Sequence, residues 1–273
     1  MTEKDYVLGT DAEEISRLGL QHRVWRPRAL DAWMRAGFRA GQVILDLGAG
    51  PGYAALDLAE IVGPTGKVVA LERSRRFLDA LEASRSRRSV LNIEAVEMDL
   101  DELKADLPES DGAWARWIFA FVKQPRRLLE TIMRTLKPGA PFVIHEYLDY
   151  SAWRMMPRSL IFEEFVQEVM ASWRADGGEP DIALELPAWL AGLGFHIKAM
   201  NPIVEVISPN SFAWEWPSAF VQSGLRRLVE IGRVTSVRAE EVRKAFAASA
   251  GTPNALMVTP IVLEIIAEKG NNR

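Results

Sequence analysis

Apolar residues follow two rhythms along this chain. Short unbroken runs such as Val43-Ile44-Leu45 and Val68-Val69-Ala70-Leu71 alternate with stretches whose apolar positions recur every three or four residues. The runs predict strands at about 43–47, 67–72, 92–98, 112–118 and 141–147. Between the first two, a helix is expected from Tyr53 to about Ile61, closed by Gly63-Pro64-Thr65-Gly66. Such alternation argues for a parallel sheet with helices on both faces.

The flanks keep a different pattern. Residues 1 to about 40 show a loose apolar stripe (Ile15, Leu18, Trp25, Leu30, Trp33, Met34) behind a capping start at Asp11-Ala12-Glu13-Glu14. Pro27 interrupts the stripe, so two helices are expected. Residues 150–175 carry Trp153, Met155, Met156, Phe162, Phe165, Val169, Met170 and Trp173, a helical spacing that ends at Asp176-Gly177-Gly178. A helix at about 183–193, a strand at about 195–207, two or three helices within 209–254 and a last strand at about 256–268 complete the chain. The domain reading is a helical cap at 1–40, a core at 41–149, helical insertions at 150–180 and 209–254 acting as a lid, a core helix and strand at 181–208, and a last strand and tail at 255–273.

The turn after the first strand carries the chemistry. Leu45-Asp46-Leu47-Gly48-Ala49-Gly50-Pro51-Gly52-Tyr53 places three glycines at alternate positions behind an acid. Glycines there take backbone angles other residues avoid and let a ligand lie against bare main chain. The second strand ends in Glu72, about 26 residues beyond Asp46, near the ~20-residue offset of an acid that bonds a ribose hydroxyl. An adenosine-bearing cofactor is the natural guest. The nicotinamide fingerprint needs Gly-x-Gly-x-x-Gly, but Tyr53 stands at its third glycine, and no Gly-Lys-Ser/Thr phosphate loop is present.

The pattern Asp-x-Gly-x-Gly-x-Gly resembles that of the class I S-adenosylmethionine-dependent methyltransferases. Leu136-Lys137-Pro138-Gly139-Ala140 is similar to the turn before strand five in their small-molecule subgroup, which includes quinone-ring methyltransferases. Phe121 stands where quinone-methylating members often carry histidine. The resemblance covers about Gln42 to Tyr147. It implies a doubly wound, Rossmann-like α/β fold of seven strands with an antiparallel last one. It also implies S-adenosylmethionine as cofactor. Gly48, Ala49, Gly50, Gly52 and Tyr53 would then pass under the methionine part with Asp46 beside them. Glu72 would take the ribose, and Arg73 would cover the adenine. Asp99 would meet the adenine amino group between Met98 and Leu100, with Asp101 and Glu102 as substitutes. The carbonyl of Ala115 would receive the ammonium, and Arg116 would pair with the cofactor carboxylate or with Asp46. Tyr6 and Gln21, in the N-terminal segment, would close over the cofactor.

Composition narrows the partners. A net charge of −4 over 273 residues offers no broad attraction to nucleic acid or anionic membrane. The arginines between Arg73 and Arg88 read as a solvated helix face. Cysteine is absent, so a reducing cytoplasm is the expected setting. The first residues lack a signal-peptide pattern, and no apolar run spans a bilayer. His22, His145 and His196 are scattered, without metal-ligand spacing. Methyl transfer from a sulfonium mainly needs alignment, and a base only if the acceptor must lose a proton. His22, His145, Glu146, Tyr147 and Asp149 are the possible bases, though for each a hydrogen-bonded structural group is the favoured reading. The expected activity is methyl transfer to a small, apolar or planar molecule by a monomer or homodimer. The rivals are a macromolecule (RNA or protein) methyltransferase and a non-catalytic cofactor-binding protein.

Overall fold

The computed structural model describes residues 9–102 and 107–271. The expected strands form. They are β1 (Val43–Leu47), β2 (Lys67–Glu72), β3 (Ile93–Glu97), β4 (Gly112–Arg116) and β5 (Pro141–Asp149), and β7 (Phe195–Ile203) and β10 (Ile261–Lys269) join them in one sheet. Its order is β3-β2-β1-β4-β5-β10-β7. The first five strands are parallel, and β10 runs antiparallel between β5 and β7. This is the doubly wound sheet with an antiparallel last strand. Among the described residues no helix is long and apolar enough to cross a membrane.

Strand alternation sends side chains to two layers. Leu45 and Leu47 join Leu128, Leu129 and Ile132 of α4 (Pro125–Thr135) and Leu186 and Leu190 of α6 (Leu186–Gly192). Ile44 and Trp114 face the other way. They meet α1 (Ala12–Ala36) and α2 (Tyr53–Val62) through Trp33, Ala55 and Leu58. Helix α3 (Arg75–Arg87) adds Leu81 to that layer, and Ser74 caps its start. Asp46, two residues after Ile44, therefore points toward the α1 layer, as does Arg116 two residues after Trp114.

A third cluster lies at the carboxyl ends of β4 and β5. Helices α5 (Leu160–Ala175), α7 (Glu215–Glu230) and α8 (Ser236–Ala250) pack Phe162, Phe165, Trp173, Phe220 and Phe246 together. Trp25 of α1, Trp117 and Tyr147 belong to the same cluster.

Four local expectations are corrected. Residues 12–36 form one helix through Pro27, not two. Buried Trp25 before the proline and Ala29, Ala32 and Trp33 after it anchor both halves, so packing outweighs the missing N–H bond. The helix expected over 150–175 starts only at Leu160. Before it, a turn capped by Asp149 leads into β6 (Arg154–Met156). That strand pairs with β9 (Leu256–Val258), which also pairs β8 (Val206–Ile207), in a small second sheet. The expected strands 195–207 and 256–268 are therefore each broken, the second at Thr259-Pro260. Strand β4 stops at Arg116 because Trp117 turns left-handed, with φ 53°.

Trp33 is fully buried, edge-on to Trp114 at 5.1 Å between ring centroids. Trp33→Ala should destabilise the fold by about 3–5 kcal/mol, read as a shift of the urea midpoint with unchanged slope.

Candidate functional site

The turn from β1 to α2 sits where the sequence places it. Gly48, Gly50 and Gly52 all have positive φ (63°, 55° and 83°). At Gly48 the need is also steric, because a Cβ there would lie 1.9 Å from Cδ1 of Ile118. Gly52 caps α2 in the left-handed conformation. Glu72 holds the turn to the next one. Its Oε2 accepts from Gly50 N–H at 2.9 Å and its Oε1 from Ser74 N–H at 2.8 Å. Burial pushes its carboxyl above the usual range.

Two cavities meet at Gly48, Trp117, Ile118 and Phe121. One is lined by Glu72, Arg73, Met98, Asp99, Leu100 and Asp101. Asp99 Oδ1 accepts from Asp101 N–H at 2.9 Å, and Asp101 Oδ1 in turn accepts from Lys123 N–H at 2.7 Å. The acids after β3 thereby fix the loop after β4. The other cavity is lined by Asp46, Ala49, Gly50, Tyr53 and Arg116, and by Arg17 and Gln21 of α1. Its far wall is aromatic, made of Tyr147, Trp173 and Phe220.

Charge in this second cavity is unbalanced. Asp46 is buried with no partner at Oδ2, and burial pushes its carboxyl up to about 7, with Arg116 opposing and Glu72 reinforcing. Arg116 has a buried Nη1 without a hydrogen-bond partner. Burial lowers its guanidinium to about 10, so it stays cationic near neutral pH. Among the described residues the two groups form no ion pair with each other. Instead Arg116 Nη2 lies 3.3 Å from His22 Nδ1. A guanidinium only donates, so Nδ1 accepts and His22 Nε2–H donates to Asp57 Oδ2 at 3.0 Å. Arg26 donates to the same oxygen at 2.7 Å.

The aromatic wall is ordered. Trp117 stacks on Tyr147 (5.3 Å, 13°) and on Trp216 (5.6 Å, 8°), with Trp25 edge-on at 5.1 Å. Its left-handed backbone costs about 1–3 kcal/mol. The strain is held by Glu146, whose Oε1 accepts from Ile118 N–H at 2.5 Å and Phe119 N–H at 2.6 Å. Gln21 Oε1 accepts from Arg17 Nη1 at 3.0 Å and Trp216 Nε1 at 3.3 Å. Those two donors fix the amide orientation, leaving its NH₂ as the donor end.

The residues expected at a site thus fall into three groups. Asp46, Gly48, Ala49, Gly50, Tyr53, Arg116, Gln21, Glu72, Arg73, Met98, Asp99 and Leu100 line one cavity or the other. Gly52 and Ala115 do not; Gly52 shapes the turn, and Ala115 is packed in the sheet core. Tyr6 lies outside the described residues. Of the suggested bases Tyr147 lines the second cavity, whereas His22, His145, Glu146 and Asp149 line neither. His22 is engaged at both nitrogens. His145 is wholly buried between Trp25 and Trp114, with Nε2 3.1 Å from Glu264. Glu146 turns under the loop after β4. The wall residues Arg17, Ile118, Trp173 and Phe220 were not foreseen as site residues, and Tyr147 only as a possible base. Arg17 had a signal, because Glu14, Arg17 and Gln21 share a helix face at three- and four-residue steps.

A glycine turn, a strand-end acid and cavities at the carboxyl ends of parallel strands form the arrangement in which α/β domains hold nucleoside cofactors. Residues 44–139 match the family described as "Methyltransferase domain". A 2-phytyl-1,4-naphtoquinone methyltransferase of Nostoc punctiforme is 36% identical over 46% of this chain and 54% of its own length. A demethylmenaquinone methyltransferase of Lactococcus lactis is 32% identical over 46% of this chain and 49% of its own. The chain thus spans about half the length of these curated relatives. Among solved structures, the YcgJ protein of Bacillus subtilis superposes with a TM-score of 0.59 at 14% identity, over 92% of this chain and 100% of that one. The resemblance to class I methyltransferases is borne out in sequence over 44–139, and the superposition on YcgJ shows a shared fold over most of the chain.

Burial raises Glu146 to about 8, although the amides of Phe119 and Ile118 oppose it. A raised folded-state value favours the native state below the ordinary carboxylate range, and that contribution is lost as pH rises through about 8. Stability should therefore fall between about pH 5 and pH 9, and Glu146→Gln should flatten the fall. Urea midpoints measured across that range test this.

Proposed function

We propose that this chain is an S-adenosylmethionine-dependent methyltransferase acting on a small, planar or apolar molecule. The observation that carries the reading is the junction of two unlike cavities at Gly48. One offers the carboxylates of Glu72 and Asp99, suited to ribose hydroxyls and an adenine amino group. The other offers the unpartnered, buried Oδ2 of Asp46, which a cationic ligand group would satisfy. S-adenosylmethionine, when bound, supplies an activated methyl group on a positive sulfur.

Glu72, Arg73, Met98, Asp99 and Leu100 would hold the nucleoside, and Asp46, Gly48, Ala49 and Gly50 the amino-acid end. Ile118 lies over Gly48 and lines both cavities. Trp117, Phe121, Tyr147, Trp173 and Phe220 would exclude water from the reacting end and orient an apolar acceptor. The segments 150–180 and 209–254 form the lid in this reading. The relatives' names support a small ring-bearing acceptor. A cytoplasmic location, a monomer or homodimer, and no nucleic-acid partner complete the proposal.

Calorimetric titration tests it. S-adenosylhomocysteine should bind and NAD should not; binding of NAD alone overturns the cofactor assignment. Glu72→Ala should weaken S-adenosylhomocysteine binding by about 1–3 kcal/mol, and unchanged affinity would remove Glu72 from the site. A second series follows from Asp46. Only its ionised form attracts a cation, and burial sets its ionisation near pH 7. S-adenosylmethionine affinity should therefore climb between about pH 6 and pH 8, by at most about tenfold per unit. Asp46→Asn should remove that climb.

A further inference from the structure

We propose that the methyl acceptor is a planar aromatic acid, bound as its anion by Arg116, Gln21 and Trp117. The inference rests on reading the cavity pair as a donor-and-acceptor site, and it adds the acceptor's chemical class.

Three observations converge. First, the acceptor-side cavity is rich in hydrogen-bond donors. Arg116 Nη1 and Trp117 Nε1 are both buried without a partner. Gln21 is held with its NH₂ as the donor end, because Arg17 and Trp216 both donate to its oxygen. Asp46 is the one carboxylate on this wall among the described residues. A ligand that fills the cavity must bring oxygen acceptors, and buried donors left unmet cost about 1–3 kcal/mol each.

Second, the charges call for an anion. Arg17 is neutralised by Glu14, buried beside it with contacts of 2.7 and 2.6 Å. Arg116 has no such partner. It touches neutral His22 and lies over the rings of Trp114 and Trp117 at 5.8 and 5.4 Å. A sulfonium donor would add a further positive charge to the same cavity, so a carboxylate against Arg116 offsets both.

Third, the wall is aromatic, and with Asp46 committed to the donor's cationic end it leaves the acceptor no base of ordinary strength. Tyr147 is pushed upward by burial, and His22, His145 and Glu146 lie off the wall. An acceptor that enters already ionised needs none. Tyr147, Trp173 and Phe220 supply apolar area for its ring.

The test uses the full chain saturated with S-adenosylhomocysteine, with tryptophan fluorescence reporting the binding of 2-naphthoate and of its neutral isostere 2-naphthamide. Binding of S-adenosylhomocysteine is measured first, and its absence refutes the cofactor reading itself. Given that binding, 2-naphthoate should bind about tenfold or more tighter than the amide, the ratio one charge-assisted hydrogen bond supplies. At saturating S-adenosylhomocysteine, Arg116→Gln should reduce the preference to within about threefold. Equal binding of the two probes to the wild-type protein overturns the inference without any variant. So does an Arg116→Gln protein that loses S-adenosylhomocysteine affinity but keeps the naphthoate preference, for Arg116 would then serve the cofactor.

Discussion

The carboxylate of Glu72 is the tie on which the cavity pair depends. It ends β2, yet one oxygen holds the amide of Gly50 in the neighbouring turn and the other holds Ser74 at the start of α3. Two strand-to-helix turns are thereby fixed at one separation by a single side chain. Gly48 lies inside the first turn, where its missing side chain admits Ile118 from the loop after β4. That loop is in turn gripped from below by Glu146 and from the side by Asp101. Three acids at the ends of neighbouring strands or just beyond them thus set the geometry of the whole carboxyl-terminal edge.

A second chain of contacts joins the cavity to the N-terminal helix. Asp57 of α2 fixes the tautomer of His22 on α1, and His22 leaves one guanidinium nitrogen of Arg116 occupied and the other bare. Tyr53 stacks on the same imidazole at 5.9 Å and donates to the Ile15 carbonyl at 3.1 Å. Gly19 is needed where α1 crosses Tyr53, since a Cβ would approach its hydroxyl to 2.8 Å. The first half of α1 is therefore part of the site, through Arg17 and Gln21 as well as through His22.

Much of the core was legible because its signals are local. Unbroken apolar runs marked β1, β2 and β5, and Asp46, the glycines and Glu72 lie within one βαβ unit whose geometry is set by short-range turns. The acids after β3 were legible for the same reason. What sequence could not show was set by distant contacts. Pro27 looked like a break, but buried Trp25 and Trp33 hold the two halves in one continuous helix. Residues 154–156 looked helical, but pairing with Leu256–Val258, a hundred residues away, makes them a strand. His145 and Glu146 looked like bases at a strand end. Alternation sends them to opposite faces, one into a tryptophan cage and one under a loop, and no local pattern reveals which face holds the cavity.

The continuity of α1 through Pro27 has a mechanical side. Proline has no N–H to give the carbonyl of Arg23, so the helical ladder loses a rung between His22 and Trp33. Ahead of that seam lie the groups that wall the cavity. Behind it lie Trp33, packed on the sheet, and Arg35, joined to Glu264 of the antiparallel strand β10. Bending is cheapest at the missing rung. The helix thus lacks one backbone tie where its cavity-facing half, held through side chains to Asp57 and Trp216, passes into the half bolted to the sheet.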